Sequence, residues 1–163
     1  MILNEHERAI VDNVAEHGWH CSHVFDPDQV HPDFSYTVGF WETLCVPELI
    51  IFGLSRKLMH SMLWEMYRQL KGGARLADGA RWSELIGGFD CVSRPVHPTQ
   101  IKTDYFNSAR WYHRLRTGTE TLEAYQIFWP GAHQGLFPWE AGCVADVRDW
   151  QPQLYLPDEH GLA

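Results

Sequence analysis

No stretch of this chain comes near the roughly 20 consecutive apolar residues that cross a bilayer, so a membrane-spanning helix is excluded. The amino end, Met1-Ile2-Leu3 followed at once by Asn4-Glu5-His6-Glu7, lacks the basic region and apolar core of a secretory signal. The four cysteines, Cys21, Cys45, Cys91 and Cys143, lie far apart and form no CxxC pair. They read as free thiols in a reducing compartment, and the expected location is the cytoplasm. Phosphate loops and nucleophile elbows are missing as well: no G-x-x-x-x-G-K-[ST], G-x-G-x-x-G or G-x-S-x-G occurs. The common nucleotide-binding and serine-hydrolase classes lose their support.

Positive charge is scarce overall, with 13 Lys and Arg against 21 Asp and Glu, a formal net charge of -8. Residues 1–33 carry seven acids against Arg8 alone, and residues 117–163 carry seven against Arg148 alone. From Arg56 to Arg116 the balance reverses, eleven basic side chains facing five acidic ones. Such a middle segment suits a small anionic ligand, while its acidic flanks argue against a nucleic-acid track, which needs contiguous positive surface.

What the chain has is apolar and aromatic mass. Hydrophobic residues make up 45% and charged residues 21%, with eight Trp, six Tyr and eight Phe. That is enough apolar surface to offset the entropy of ordering, so a folded domain is expected. At 163 residues with no linker, the expectation is one globular domain over 1–163.

Local patterns predict the elements. Asn4 and Glu7 have capping-box spacing ahead of an apolar stripe at Ile10, Val11 and Val14, and Gly18 marks the end of that helix. Trp19 to Phe25 reads as a strand closed by the turn Asp26-Pro27-Asp28. Ser35 to Phe40 and Leu49 to Phe52 read as a hairpin of two more strands. Ser55 caps a helix whose stripe runs from Leu58 to Leu70, ended by Gly72-Gly73. Arg81 to Ile86 reads as a short helix or turn, and Phe89 to Ser93 as a strand. A helix capped by Thr103 or Asp104 through Arg116 and a strand from Leu122 to Trp129 follow. The last forty residues read as ordered loops with a short terminal strand. This order predicts an α+β fold, a single domain with a mainly antiparallel sheet and helices packed on one face.

Four segments together resemble a known family. They are Tyr36-Thr37-Val38-Gly39-Phe40-Trp41, Pro47-Glu48-Leu49-Ile50-Ile51-Phe52-Gly53-Leu54, Tyr105-Phe106-Asn107-Ser108-Ala109-Arg110-Trp111-Tyr112, and Gln126-Ile127-Phe128-Trp129-Pro130 with Phe137-Pro138-Trp139-Glu140. The pattern resembles the bacterial DUF4262 family over about residues 5–155. The resemblance implies a single domain and no assigned reaction. Phe40 stands where the family pattern has Leu, Val46 precedes Pro47 where His is usual, and Gly131 stands where an acid is common. A catalytic histidine or acid at those last two places is therefore not expected.

Candidate chemistry falls in three places. Arg110 and Arg114, four apart on one helical face, form a potential clamp for phosphate or carboxylate, with Tyr105 and Trp111 beside them and His113 as an acid or base. The loop from Gly135 to Cys143 offers Phe137 and Trp139 as cover for a planar ligand, and Glu140 and Cys143 as weaker catalytic candidates. His20, Cys21 and His23 are the weak metal candidates, since strand alternation sets His20 opposite the other two. No metal or other cofactor is assigned. Glu42, Glu48 and Glu140 have no spacing that pairs them for two-carboxylate catalysis. The leading expectation is binding of a small anionic or planar ligand in an aromatic and basic pocket made by the Tyr105–Arg114 helix and the Phe137–Cys143 loop. A small enzyme using His113, Cys143 or Glu140 is the first alternative, and a structural or interaction module the second. Self-association stays open. The two strand runs at residues 36–41 and 47–54 read as scaffold.

Overall fold

Asn4 accepts a hydrogen bond from the backbone of Glu7 while the Glu7 carboxylate accepts one from the backbone of Asn4, so the capping box is complete and α1 spans Glu5–His17. Gly18, left-handed at φ 90°, ends it. These details come from a computed structural model that describes residues 2–102 and 104–158. β1 (His20–Val24), β2 (Phe34–Val38) and β3 (Glu48–Phe52) follow, with the short α2 (Phe40–Leu44) between the last two. Next come α3 (Arg56–Lys71), β4 (Arg81–Ile86), β5 (Phe89–Pro95), α4 (Asn107–Thr117), β6 (Ala124–Phe128) and α5 (Ala145–Asp149).

The strands form one six-stranded sheet in the order β1-β2-β3-β6-β5-β4. Every pairing is antiparallel except β3 with β6. The fold is the expected α+β domain. Alternation along β3 assigns its two faces: Leu49 and Ile51 join Met59, Met62, Leu63 and Met66 of α3 in one core, while Ile50 and Phe52 join Ile10, Val14, Ala109 and Tyr112 in another. Packing on one face thus describes α3, the longest helix, and the shorter α1 and α4 cover the opposite side. No helix among the described residues is long and apolar enough to cross a membrane.

Three local expectations need correction. Arg81–Ile86 is a strand, the edge strand β4, and not a helix or turn. A register shift between Trp82 and Ile86, with Glu84 at φ 69°, makes Trp82 and Leu85 both buried three residues apart. A bulge has imitated helical spacing. The hairpin between β2 and β3 is real, but Phe40 leaves the strand and opens α2. The terminal strand is absent among the described residues, and α5 stands in that region.

Two glutamine side chains do the work such a strand would have done. Gln151 accepts from Trp129 N (3.0 Å) and donates to Trp129 O (2.8 Å), while Gln126 donates to Pro152 O (2.6 Å) and accepts from Leu154 N (3.0 Å). The carboxyl-terminal segment is thereby stitched to β6. At α4, Thr103 lies outside the described residues; the N-cap position belongs to Phe106, at φ 68° with no side-chain cap. Ser108 N instead donates to Tyr36 Oη at 2.8 Å, anchoring the helix start to β2.

Candidate functional site

Glu48 opens β3, a strand otherwise made of Leu49, Ile50, Ile51 and Phe52, and it is only 4% exposed. A carboxylate so placed must be hydrogen-bonded. Its Oε1 accepts from Thr37 Oγ1 (2.7 Å) and Phe40 N (3.1 Å), and Oε2 accepts from Trp41 N (3.2 Å). Thr37 Oγ1 in turn accepts from Leu49 N at 2.9 Å, so one hydroxyl ties both strands to the acid. The first amides of α2 are thus capped by a residue eight positions downstream. Burial still pushes the Glu48 carboxyl up from 4.5 to about 7, against the pull of these donors.

Gly39 makes the arrangement possible. Its φ is +98°, and a Cβ there would stand 2.9 Å from Val14 Cγ2. The chain can turn from β2 into α2 beneath α1 only with the smallest residue at this point.

Above Glu48 lies an open pocket of about 180 Å³, walled by α2 and α4 and lined by Trp41, Glu42, Tyr112, His113 and Arg116 among others. Tyr112 donates to Glu42 Oε2 at 2.5 Å, and Arg116 meets Glu42 Oε1 at 2.9 Å. Burial and the adjoining Glu42 carboxylate raise the Tyr112 hydroxyl, which stays protonated. Burial lowers His113, favouring its neutral imidazole. The pocket therefore presents a carboxyl that exchanges its proton near neutral pH, a second carboxylate engaged by an arginine and a tyrosine, a neutral histidine, and the half-exposed indole of Trp41. Hydrogen bonding to a ligand and proton exchange are both within its chemistry.

The residues expected from the sequence are divided among several places. Arg110 and Arg114 do share a face and do grip a carboxylate, but it is the chain's own Glu120, at 3.0 Å from each. An external anion would have to displace it. Trp111 packs against the core beneath α4, and Tyr105 stands edge-on to Phe34 and Phe52. Phe137 and Trp139 stack on one another, 5.2 Å apart, and join a separate cluster with Val92 and Phe128. Arg94 covers that cluster, its guanidinium 4.8 Å from the Trp139 ring and 3.7 Å from Tyr155. The helix and the loop thus belong to different aromatic clusters.

Of the catalytic candidates, His113 lines the Glu48 pocket. Glu140 accepts from Phe137 N at 2.9 Å within its own loop, and Cys143, whose thiol burial raises, points its sulfur to the Leu136 carbonyl. In β1, His20 pairs across from Val38 while Cys21 and His23 pair across from Thr37 and Ser35, on the other face. His20 Nδ1 contacts Asn13 (2.9 Å) and His23 Nδ1 contacts Ser35 Oγ (2.7 Å). No three His, Cys, Asp or Glu side chains are arranged to hold a metal ion among the described residues.

Thr37, Tyr112 and Arg116 were missed as functional candidates, and Glu48 was weighed only as a member of a carboxylate pair with Glu42 or Glu140. One signal was available for Glu48: an acid inside the run Pro47-Glu48-Leu49-Ile50-Ile51-Phe52 is a charge committed to burial. The convergence of Glu42 with Tyr112 and Arg116, some seventy residues later, left no local trace.

The family model described as a domain of unknown function (DUF4262) matches residues 13–144. The matched span contains every residue of the Glu48 pocket. No curated protein and no solved structure matches the chain.

Proposed function

The chain belongs to the DUF4262 family, whose description assigns no activity, and on that premise we propose that the domain binds a small, planar, polar molecule in the pocket over Glu48. The observation that carries this reading is a buried carboxyl at the floor of an open pocket whose rim bears an exposed indole, Trp41. At about 180 Å³ the pocket takes roughly the space of six waters, at about 30 Å³ each, so the ligand is a fragment-sized molecule and not a dinucleotide. Glu42 and Arg116 balance one another, which leaves Glu48 to read a hydrogen-bond donor such as an amide, amidine or ring N–H. Trp41 offers its face to a flat ring. Binding at this pocket takes the place of the joint pocket of the Tyr105–Arg114 helix and the Phe137–Cys143 loop.

Nicotinamide and benzamidine are suitable reporters, followed by ligand-observed NMR and Trp fluorescence. Glu48→Gln and Trp41→Ala should each weaken the tighter of the two by at least tenfold. If both variants bind within twofold of the parent, the pocket is not the site.

One observation favours a second reading, proton-transfer catalysis. Glu48, brought to about 7, shares the pocket with the neutral imidazole of His113, as an acid and base pair would. A reaction of this kind would depend on the protonation of Glu48 and vanish in Glu48→Gln.

A further inference from the structure

At the β1 edge of the sheet, a groove of about 440 Å³ runs between α1, α3 and that strand. Its lining includes Trp19, His20, His23, Arg56 and His60, and no Asp or Glu. We propose that this groove is a second ligand site that takes a small oxyanion, a phosphate or carboxylate group, on Arg56.

Three observations support the site. Arg56 is the first residue of α3 and is exposed, and its charge acts on both Cys21 and His23, yet it has no ion-pair partner among the described residues. Helix starts normally attract acids, because their unpaired N–H groups carry a partial positive charge. The first turn of α3 has none, and Arg56 and Lys57 add two cations to it. An anion is what this end of the helix lacks. Finally, Trp19 lines the groove, is 3% exposed, and its indole N–H finds no acceptor among the described residues. A buried donor left unsatisfied is a deficit that a bound acceptor can remove.

His20 and His23 supply hydrogen bonds and little charge. Burial pushes His20 down to about 4 and lowers His23, so both are neutral at ordinary pH. Nor do they gather into a metal-binding set. The groove therefore combines one unpaired guanidinium with the neutral imidazoles of His20 and His23 and no carboxylate, an arrangement for an anion and not for a cation.

The test is a two-dimensional NMR titration of the full chain with inorganic phosphate and, separately, acetate, both against sodium chloride at matched ionic strength. The Trp19 indole N–H resonance should shift saturably with at least one oxyanion and not with chloride. Phosphate alone would identify a phosphoryl ligand, acetate alone a carboxylate. Arg56→Ala, an exposed position that leaves the core intact, should weaken the response at least tenfold. Trp19→Phe, which keeps a ring but removes the N–H, should weaken it severalfold. Absence of a saturable shift with either ion, or an unchanged affinity in Arg56→Ala, would overturn the proposal.

Discussion

At the scale of single residues, Glu48 and His20 make stability depend on pH with opposite signs. Burial raises Glu48 from 4.5 to about 7. Below pH 4.5 the carboxyl is protonated in both folded and unfolded chains; as pH climbs through 7 only the folded chain resists ionisation, so stability falls by about 3 kcal/mol across that interval. Burial, helped by His6, lowers His20 from 6.5 to about 4. Above pH 6.5 it is neutral in both states, and as pH drops toward 4 the unfolded chain gains a proton that the folded chain refuses, so stability is lost on acidification. His20 keeps part of its surface in water, which makes its contribution the smaller one. Between pH 4.5 and 6.5 the two slopes oppose. Urea unfolding of Glu48→Gln at several pH values should therefore show stability rising with pH over that range, and His20→Asn should show it falling from pH 4.5 to 7.5. Parallel profiles for parent and both variants would mean that neither group titrates as its burial requires.

At the scale of elements, the turn from β2 into α2 depends on Gly39. A side chain there meets two obstacles, a φ of +98° and the methyls of Val14 at 2.9 and 3.0 Å. Gly39→Ala should cost about 2 kcal/mol or more, since strained backbone and steric overlap each contribute on the order of 1–3 kcal/mol. In a double-mutant cycle with Val14→Ala, the overlap should be relieved while the strain persists, a coupling of about 1 kcal/mol by urea denaturation. Strict additivity would place the whole penalty in the backbone. Elements whose causes are local were legible in the sequence: the capping box of α1, Ser55 ahead of α3, and the aromatic and β-branched runs of β2 and β3. Elements with distant causes were not. The cap of α2 comes from Glu48 across the hairpin, the bulge in β4 disguises its alternation, and the carboxyl-terminal segment is held by the side chains of Gln126 and Gln151 where no strand pattern exists. The pocket shares that fate. Tyr36, Thr37, Gly39 and Glu48 look like scaffold when read in order, because the groups they engage, the backbones of Ser108, Phe40 and Trp41, belong to helices outside the two strand runs.

At the scale of the molecule, the sheet separates two cores, and function should divide along the same plane. Ile50 and Ile51 are adjacent, chemically identical and both fully buried. Ile50 faces Ala109 and Tyr112 beneath the Glu48 pocket, whereas Ile51 faces the α3 methionines. Truncating either to Ala should cost about 2–5 kcal/mol, as expected for removing a packed isoleucine side chain. Global stability therefore does not distinguish them, but local opening does. Amide hydrogen exchange in Ile50→Ala should quicken in α1 and α4, and binding at the Glu48 pocket should weaken as its α4 wall loosens. In Ile51→Ala the faster exchange should fall in α3, with the Glu48 pocket keeping its affinity within about twofold, under 0.5 kcal/mol. If both variants loosen the same helices, the faces are mechanically one body, and a ligand in the Glu48 pocket and an anion at the start of α3 would then sense each other through the sheet.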